Sequence, residues 1–407
     1  MPKRVVLAYS GGLDTSVAVK WIGEEWGAEV VALAADVGQG GDFDAIRERA
    51  LAAGAVESIV VDVRAEFGRE YVAPAIRANA MYEGKYPLVS ALSRPVIARH
   101  LVAAAREHGA DAVAHGCTGK GNDQVRFEVS VRALAPDLEV LAPVRVWGLT
   151  RDDSIEYAKH HGIPITVTRD KPYSVDENFV GRAIECGEME DPWAAPPEHI
   201  YELTRPVSNA PAEPRDVVVQ FEQGTPVALD GAELGLEDMI PRLGEAVGAY
   251  GFGRVDMVEN RRVGIKSRET YECPGSLALI IAHADLESIT LERDVMREKQ
   301  RLEPRYAELV YDGLWFSPLR EALDAFVAST QRHVTGDVRV HLEPGRCFAN
   351  GRRAERSLYD YELATYEAAD AFRHEDAAGF VRLWGLSVET WARRQREERP
   401  FDPDERA

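Results

Sequence analysis

A chain of 407 residues exceeds one ordinary hydrophobic core and predicts two domains with a tail. Its 45% hydrophobic content suits a globular enzyme, and no apolar run approaches the roughly 20 residues of a membrane span. A formal net charge of −20, from 68 acidic against 48 basic residues, repels phosphate backbones and argues against nucleic acid as a partner. Small anions stay open to it, because a local cluster of donors binds them inside an acidic protein.

In chain order, Arg4 to Tyr9 reads as a strand, and Thr15 to Trp26 as a helix stopped near Gly27. Val30 to Ala35 is the next strand, Asp42 to Ala53 a helix, and Ser58 to Asp62 a third strand. Arg94 to His108 reads as a helix and Asp111 to His115 as a strand. Nearly continuous apolar strands separated by helices predict an α/β domain with a parallel sheet covered on both faces. Thr150 and Asp153 have the spacing of a capping box, and Gly162 ends that helix. Beyond about residue 170 the pattern becomes α+β. Val217 to Phe221 alternates as a strand, and Asp230-Gly231 and Asn350-Gly351 signal hairpin turns. Long helices are expected over Leu286 to Leu309 and Pro318 to Gln331. The tail from Ser387 reads as a helix carrying Trp391 and a basic cluster through Arg399, and its apolar groups suit an arm on another subunit. The expected domains are therefore 1–168, 169–368 and a C-terminal arm, 369–407. The N-terminal apolar run is too short for a signal peptide, so the expected compartment is the cytoplasm.

Two loops carry the chemistry. After the first strand, Ser10, Gly11 and Gly12 allow a tight turn whose N–H groups converge on an anion at a helix N-terminus. Ser10, Thr15 and Ser16 add hydroxyl donors, and Asp14 becomes useful if Mg²⁺ arrives chelated by phosphates. After the Asp111 strand, Gly116-Cys117-Thr118-Gly119-Lys120-Gly121-Asn122-Asp123 and Arg126 lie at the same sheet edge. Lys120 and Arg126 suit a carboxylate or phosphate, while Asn122 and Asp123 suit an amine, which together fit an amino acid. The four cysteines are scattered without zinc or redox spacing. His160 and His161, adjacent on a helix, do not face one site. No resident metal site is expected.

Ser-Gly-Gly-x-Asp-x-Ser after the first strand resembles the phosphate loop of the ATP pyrophosphatases. With Tyr86-Pro87-Leu88, Ser93-Arg94-Pro95, Tyr173 to Asn178, Val258 to Arg261, Gly264 to Arg268 and Glu308 to Trp315, nearly the whole chain resembles the argininosuccinate synthase family. The resemblance implies a homotetramer and the reaction citrulline + aspartate + ATP → argininosuccinate + AMP + pyrophosphate, with Mg²⁺. It implies that Ala8, Tyr9, Ser10, Gly11, Gly12, Leu13, Asp14, Thr15, Ser16, Ala35 and Gly116 hold ATP. Thr118, Asn122 and Asp123 would hold aspartate; Tyr86, Asn122, Arg126, Ser174, Glu259 and Tyr271 would hold citrulline. Asp14, Lys120 and Asp123 are the candidate catalytic groups, Asp123 as an aid to removing the amine proton.

The chain departs from the family pattern at Ala91 and Ala183, where some members place a serine against citrulline. Each change removes one hydrogen bond, worth about 1 kcal/mol if buried. The alternative reading is thus a paralogous ligase for another ureido compound. A tRNA-modifying relative would need a basic surface or a cysteine pair, and a glutamine-dependent synthetase an amidotransferase domain. Neither is present in the sequence. A non-catalytic nucleotide sensor would not need the Tyr173 to Asn178 and Val258 to Tyr271 segments.

Overall fold

Five short strands run parallel: β1 (Arg4–Ala8), β2 (Glu29–Asp36), β3 (Glu57–Asp62), β4 (Ala112–Ala114) and β5 (Glu139–Leu141). Their order is β3-β2-β1-β4-β5, so the sheet changes direction of growth between β1 and β4. Alternate side chains of β1 serve two cores. Val5 and Leu7 pack with the helix Leu13–Trp26 and with Ile155 of the helix Arg151–His160, while Val6 joins a larger core on the opposite face. Burial on both faces accounts for the unbroken apolar character of these strands.

The computed structural model describes residues 2–164, 173–366 and 371–395, which form two compact units, Met1–Arg356 and Ser357–Ala407. The boundary expected at 168/169 and the basic residues from Arg396 to Arg399 lie outside the described residues. Within the first unit the parallel sheet is followed by β6 (Tyr173–Asn178), β7 (Gly181–Cys186), β8 (Arg215–Glu222), β9 (Thr225–Leu229), β10 (Ala232–Glu233), β11 (Arg254–Asn260), β12 (Lys266–Glu272), β13 (Gly336–Glu343) and β14 (Arg346–Arg353). These form two antiparallel sheets, β11-β12-β7-β6 and β10-β9-β8-β13-β14. The larger core runs without interruption from Val6 and Leu33 of the parallel sheet through Phe179 and Tyr271 to Leu279 and Val340. Phe67 and Phe179 meet across it, with ring centroids 4.9 Å apart. The fold is α/β in its first part and α+β in its second.

Three expectations need correction. The helix expected over Leu286 to Leu309 is two helices, Pro274–Thr290 and Arg293–Tyr311. Glu292 stops the run by leaving the helical region and accepting from the N–H groups of Asp294 and Val295. Asn350-Gly351 lies inside β14, not in a turn: Ala349 pairs with Val340 and Gly351 with Arg339, so Asn350 is the extra residue of a bulge. Ser387 does not start the tail helix, which runs His374–Gln395. The capping box at Thr150 and Asp153 forms as read, with Asp230 and Gly231 as the two-residue turn between β9 and β10.

Candidate functional site

The reversal between β1 and β4 leaves the ends of both strands beside each other, the place where open α/β sheets bind ligands. Gly11 takes φ +74°, and Gly12 precedes the first helix without any side-chain cap. The first N–H groups of that helix therefore stay available to an anion. Hydroxyls brace the turn: Ser10 Oγ lies 3.1 Å from Thr15 Oγ1, and Tyr9 Oη lies 2.9 Å from Ser16 Oγ. Behind the turn Arg49 donates to the Gly11 carbonyl at 2.5 Å and adds a positive charge. The second loop approaches so closely that a Cβ on Gly116 would stand 2.9 Å from Thr15 Cγ2.

A cavity of about 700 Å³ opens from this edge and reaches the β11-β12-β7-β6 sheet. Ala8, Tyr9, Ser10, Thr15, Ala35 and Gly116 line it, and so do Tyr86, Thr118, Asn122, Asp123, Arg126, Ser174, Glu259 and Tyr271. Of the remaining expected nucleotide residues, Gly11, Gly12, Leu13, Asp14 and Ser16 are not on its wall. Asp14 is exposed on the first helical turn, and Lys120 is exposed on its loop. Cys117 lines the cavity with its thiol pKa pushed up by burial, the state of an unreactive thiol.

Asp123 stands between two guanidinium groups. Arg94 donates to its Oδ2 at 2.7 Å and Arg126 to its Oδ1 at 2.8 Å. Burial alone would raise its pKa, but the charges of Arg94 and then Arg126 outweigh that and bring it down to about 2. So weak a base suits the binding of an ammonium group better than the storage of its proton. Arg94 also reaches Asp176, and Asn122 donates to Tyr311 Oη at 2.8 Å.

The far wall is acidic and aromatic. Tyr86 stacks on Tyr271 with centroids 4.0 Å apart, and Tyr82 on Tyr311 at 3.5 Å. Glu259, 2% exposed, accepts from Tyr311 Oη at 2.6 Å and lies 2.8 Å from Tyr271 Oη. Burial and then the nearby charge of Glu269 raise its pKa to about 7, against the lowering effect of the tyrosine hydrogen bonds. Glu269 is held by Arg261, which also pairs with Glu185.

Sequence reasoning missed Ser90, Arg94, Asp176, Glu185, Arg261 and Glu269, all of which line the cavity. A signal existed for most of them. Residues two apart on a strand share a face, so Ser174, Ala183 and Tyr271 point to Asp176, Glu185 and Glu269. On the helix Val89–Glu107, Ser90 and Arg94 are four apart and share a face. Ala91 is fully buried and is not on the cavity wall, whereas Ala183 is.

Two family models match: "Arginosuccinate synthase N-terminal HUP domain" over residues 4–164 and "Arginosuccinate synthase C-terminal domain" over residues 173–391. The argininosuccinate synthase of Bacillus licheniformis is 55% identical over 396 residues, covering 97% of this chain and 98% of that one. That of Bacillus pumilus is 57% identical over 384 residues, 94% of this chain and 95% of the relative. That of Brevibacillus brevis is 55% identical over 389 residues, 96% and 93% respectively. A solved structure of a predicted subunit of tRNA methyltransferase from Methanocaldococcus jannaschii is 14% identical, covering 38% of this chain and 75% of that one, with a TM-score of 0.27, too slight a likeness to weigh. On both family models and on identities above one half along nearly the whole length, the chain belongs to the argininosuccinate synthase family.

Proposed function

We propose the following division of labour in the family's reaction, the ATP-dependent joining of citrulline to aspartate. One observation carries it: a single cavity is lined by both phosphate-edge loops and by the buried Arg126, Glu259 and Tyr271. The enzyme is a carbon–nitrogen ligase that uses ATP. The ureido oxygen of citrulline attacks the α phosphate and expels pyrophosphate, giving a citrullyl-adenylate. Aspartate's ammonium then gives one proton to solvent, the neutral amine forms a bond to the ureido carbon, and AMP leaves with the C–O bond electrons.

Ala8 to Ser16, Ala35 and Gly116 hold ATP, with the uncapped helix start and Arg49 stabilising the departing pyrophosphate. Mg²⁺, arriving as the chelate of the triphosphate, would neutralise charge there. Asp14, exposed on the first turn, is the carboxylate suited to that ion. Lys120, also exposed, is the loop cation suited to a phosphate or carboxylate. Thr118, Asn122 and Asp123 hold aspartate, and Asp123 orients its ammonium rather than keeping the proton. Arg126 takes the citrulline carboxylate and Glu259 its ammonium, while Tyr86, Ser174 and Tyr271 frame the side chain. Most of the acceleration then comes from positioning.

We place the nucleotide in 1–168, which also gives Tyr86, Thr118, Asn122, Asp123 and Arg126 to the amino acids, and the rest of the amino-acid site in 169–368, with 369–407 as the arm of a cytoplasmic homotetramer. Support for the arm is the helix His374–Gln395, which buries no residue while exposing Phe380, Leu383 and Trp384. No helix among the described residues is long and apolar enough to cross a membrane. The deciding assay follows pyrophosphate release from ATP. Sustained release should require citrulline and aspartate together, and failure with citrulline combined with turnover of another ureido acid would defeat the assignment of substrate.

A further inference from the structure

Tyr271 has one hydroxyl hydrogen, yet its oxygen lies 2.8 Å from Glu259 Oε2 and 2.7 Å from Glu269 Oε2. Both contacts are hydrogen bonds only if one carboxyl carries a proton of its own. Arg261 decides which. Its Nη2 lies 2.7 Å from Glu269 Oε1, so the oxygens of Glu269 are placed as acceptors and Tyr271 gives its hydrogen to Glu269 Oε2; the extra proton then sits on Glu259 Oε2 and is donated to Tyr271 Oη, while Tyr311 donates to Glu259 Oε1. The surroundings reinforce the choice. Glu185 of β7 adds a third carboxyl, and Tyr86 lies against Tyr271. Arg126 and Asp123 face the cavity from the helix Asp123–Leu134 and neutralise each other.

We propose that Glu269 is a further specificity residue, sharing one proton with Glu259 across Tyr271 so that this proton must leave when the α-ammonium of the ureido amino acid enters. The pocket is then neutral at Glu259 before binding and anionic after it. A ligand that lacks the ammonium cannot displace the proton and finds two acidic groups already satisfied by one another. The balance is simple: Glu259–COOH loses H⁺ to solvent, and the carboxylate left behind pairs with the incoming N–H₃⁺. The raised pKa of Glu259 agrees with this geometry, since burial and the charge of Glu269 are its two largest causes.

The proposal rests on placing the citrulline ammonium at Glu259, and the experiment separates the two ideas. With ATP and aspartate saturating, kcat/KM for citrulline is measured between pH 5.5 and 8.5 for the wild type, Glu269→Gln and Glu259→Gln, with kcat/KM for ATP as control. In the wild type, log kcat/KM for citrulline should fall with unit slope below about pH 7, and that for ATP should not. Glu269→Gln removes the neighbouring charge and should move the inflection at least one pH unit lower. A profile with no citrulline-specific inflection, measured on the wild type alone, overturns proton sharing, as does an inflection unmoved in Glu269→Gln. Glu259→Gln tests the placement: a citrulline KM raised tenfold or more sustains it. If that variant changes the KM of aspartate or ATP and leaves that of citrulline unaltered, the placement itself is wrong.

Discussion

Ser90 and Ala91 are neighbours with opposite fates. Ser90 shares the cavity wall with Arg94, and its main-chain N–H donates to Tyr86 Oη at 2.9 Å. Ala91 has no exposure at all. Ser90→Ala should therefore raise the KM for citrulline about five- to tenfold, the loss of one hydrogen bond of roughly 1 kcal/mol. Ala91→Ser should leave that KM alone and instead lower the unfolding free energy by about 1 kcal/mol, since its hydroxyl enters the core. Parallel kinetics and denaturant melts distinguish the two, and a reversed pattern would reassign the hydroxyl. Glu259 adds a pH dependence with a definite sign. Its folded pKa lies above its ordinary value, at about 7, so its contribution to stability is full below about pH 4.5 and is lost as pH rises through 7. Glu259→Gln should abolish that decline. It should unfold at higher denaturant than the wild type at pH 8, by on the order of 1–3 kcal/mol, and lose the advantage at pH 4.5.

At the level of elements, the catalytic edge depends on how near two loops are allowed to come. A methyl group on Gly116 would press on Thr15 with nothing flexible to yield but one Cγ2 at 2.9 Å. Gly116→Ala should raise the KM for ATP about tenfold while altering that for citrulline far less. Both loops and their edge were legible in the sequence, because phosphate binding by backbone needs glycine and short polar residues in one contiguous run. The strand faces were legible in principle, since Glu269 follows from Tyr271 by the alternation of a β-strand. What the sequence concealed were pairings of distant residues. Nothing near Arg94 announces Asp123 or Asp176, and the break at Glu292 replaces a helix whose apolar spacing continues through it. The same holds for Asn350, where a turn-like dipeptide became a bulge because β13 continues opposite it.

For the molecule as a whole, the tail and the rest answer to different tests. The unit Met1–Arg356 holds the described core residues, so a chain ended after Arg356 should keep its far-UV circular dichroism per residue. By sedimentation it should be a smaller assembly than the full-length protein, and an unchanged mass would remove the arm from the interface. The uninterrupted core that joins Val6 and Leu33 to Tyr271 and Val340 has another consequence. Strands that hold the nucleotide and strands that hold the amino acids cannot melt separately if their side chains share one interior. Either ligand alone must then protect the other's half: ATP or citrulline, each at a hundred times its Kd, should shift one common thermal transition by the equivalent of about 2.7 kcal/mol. Nucleotide and amino acid would thereby report on each other through unfolding, without touching and without any change of shape.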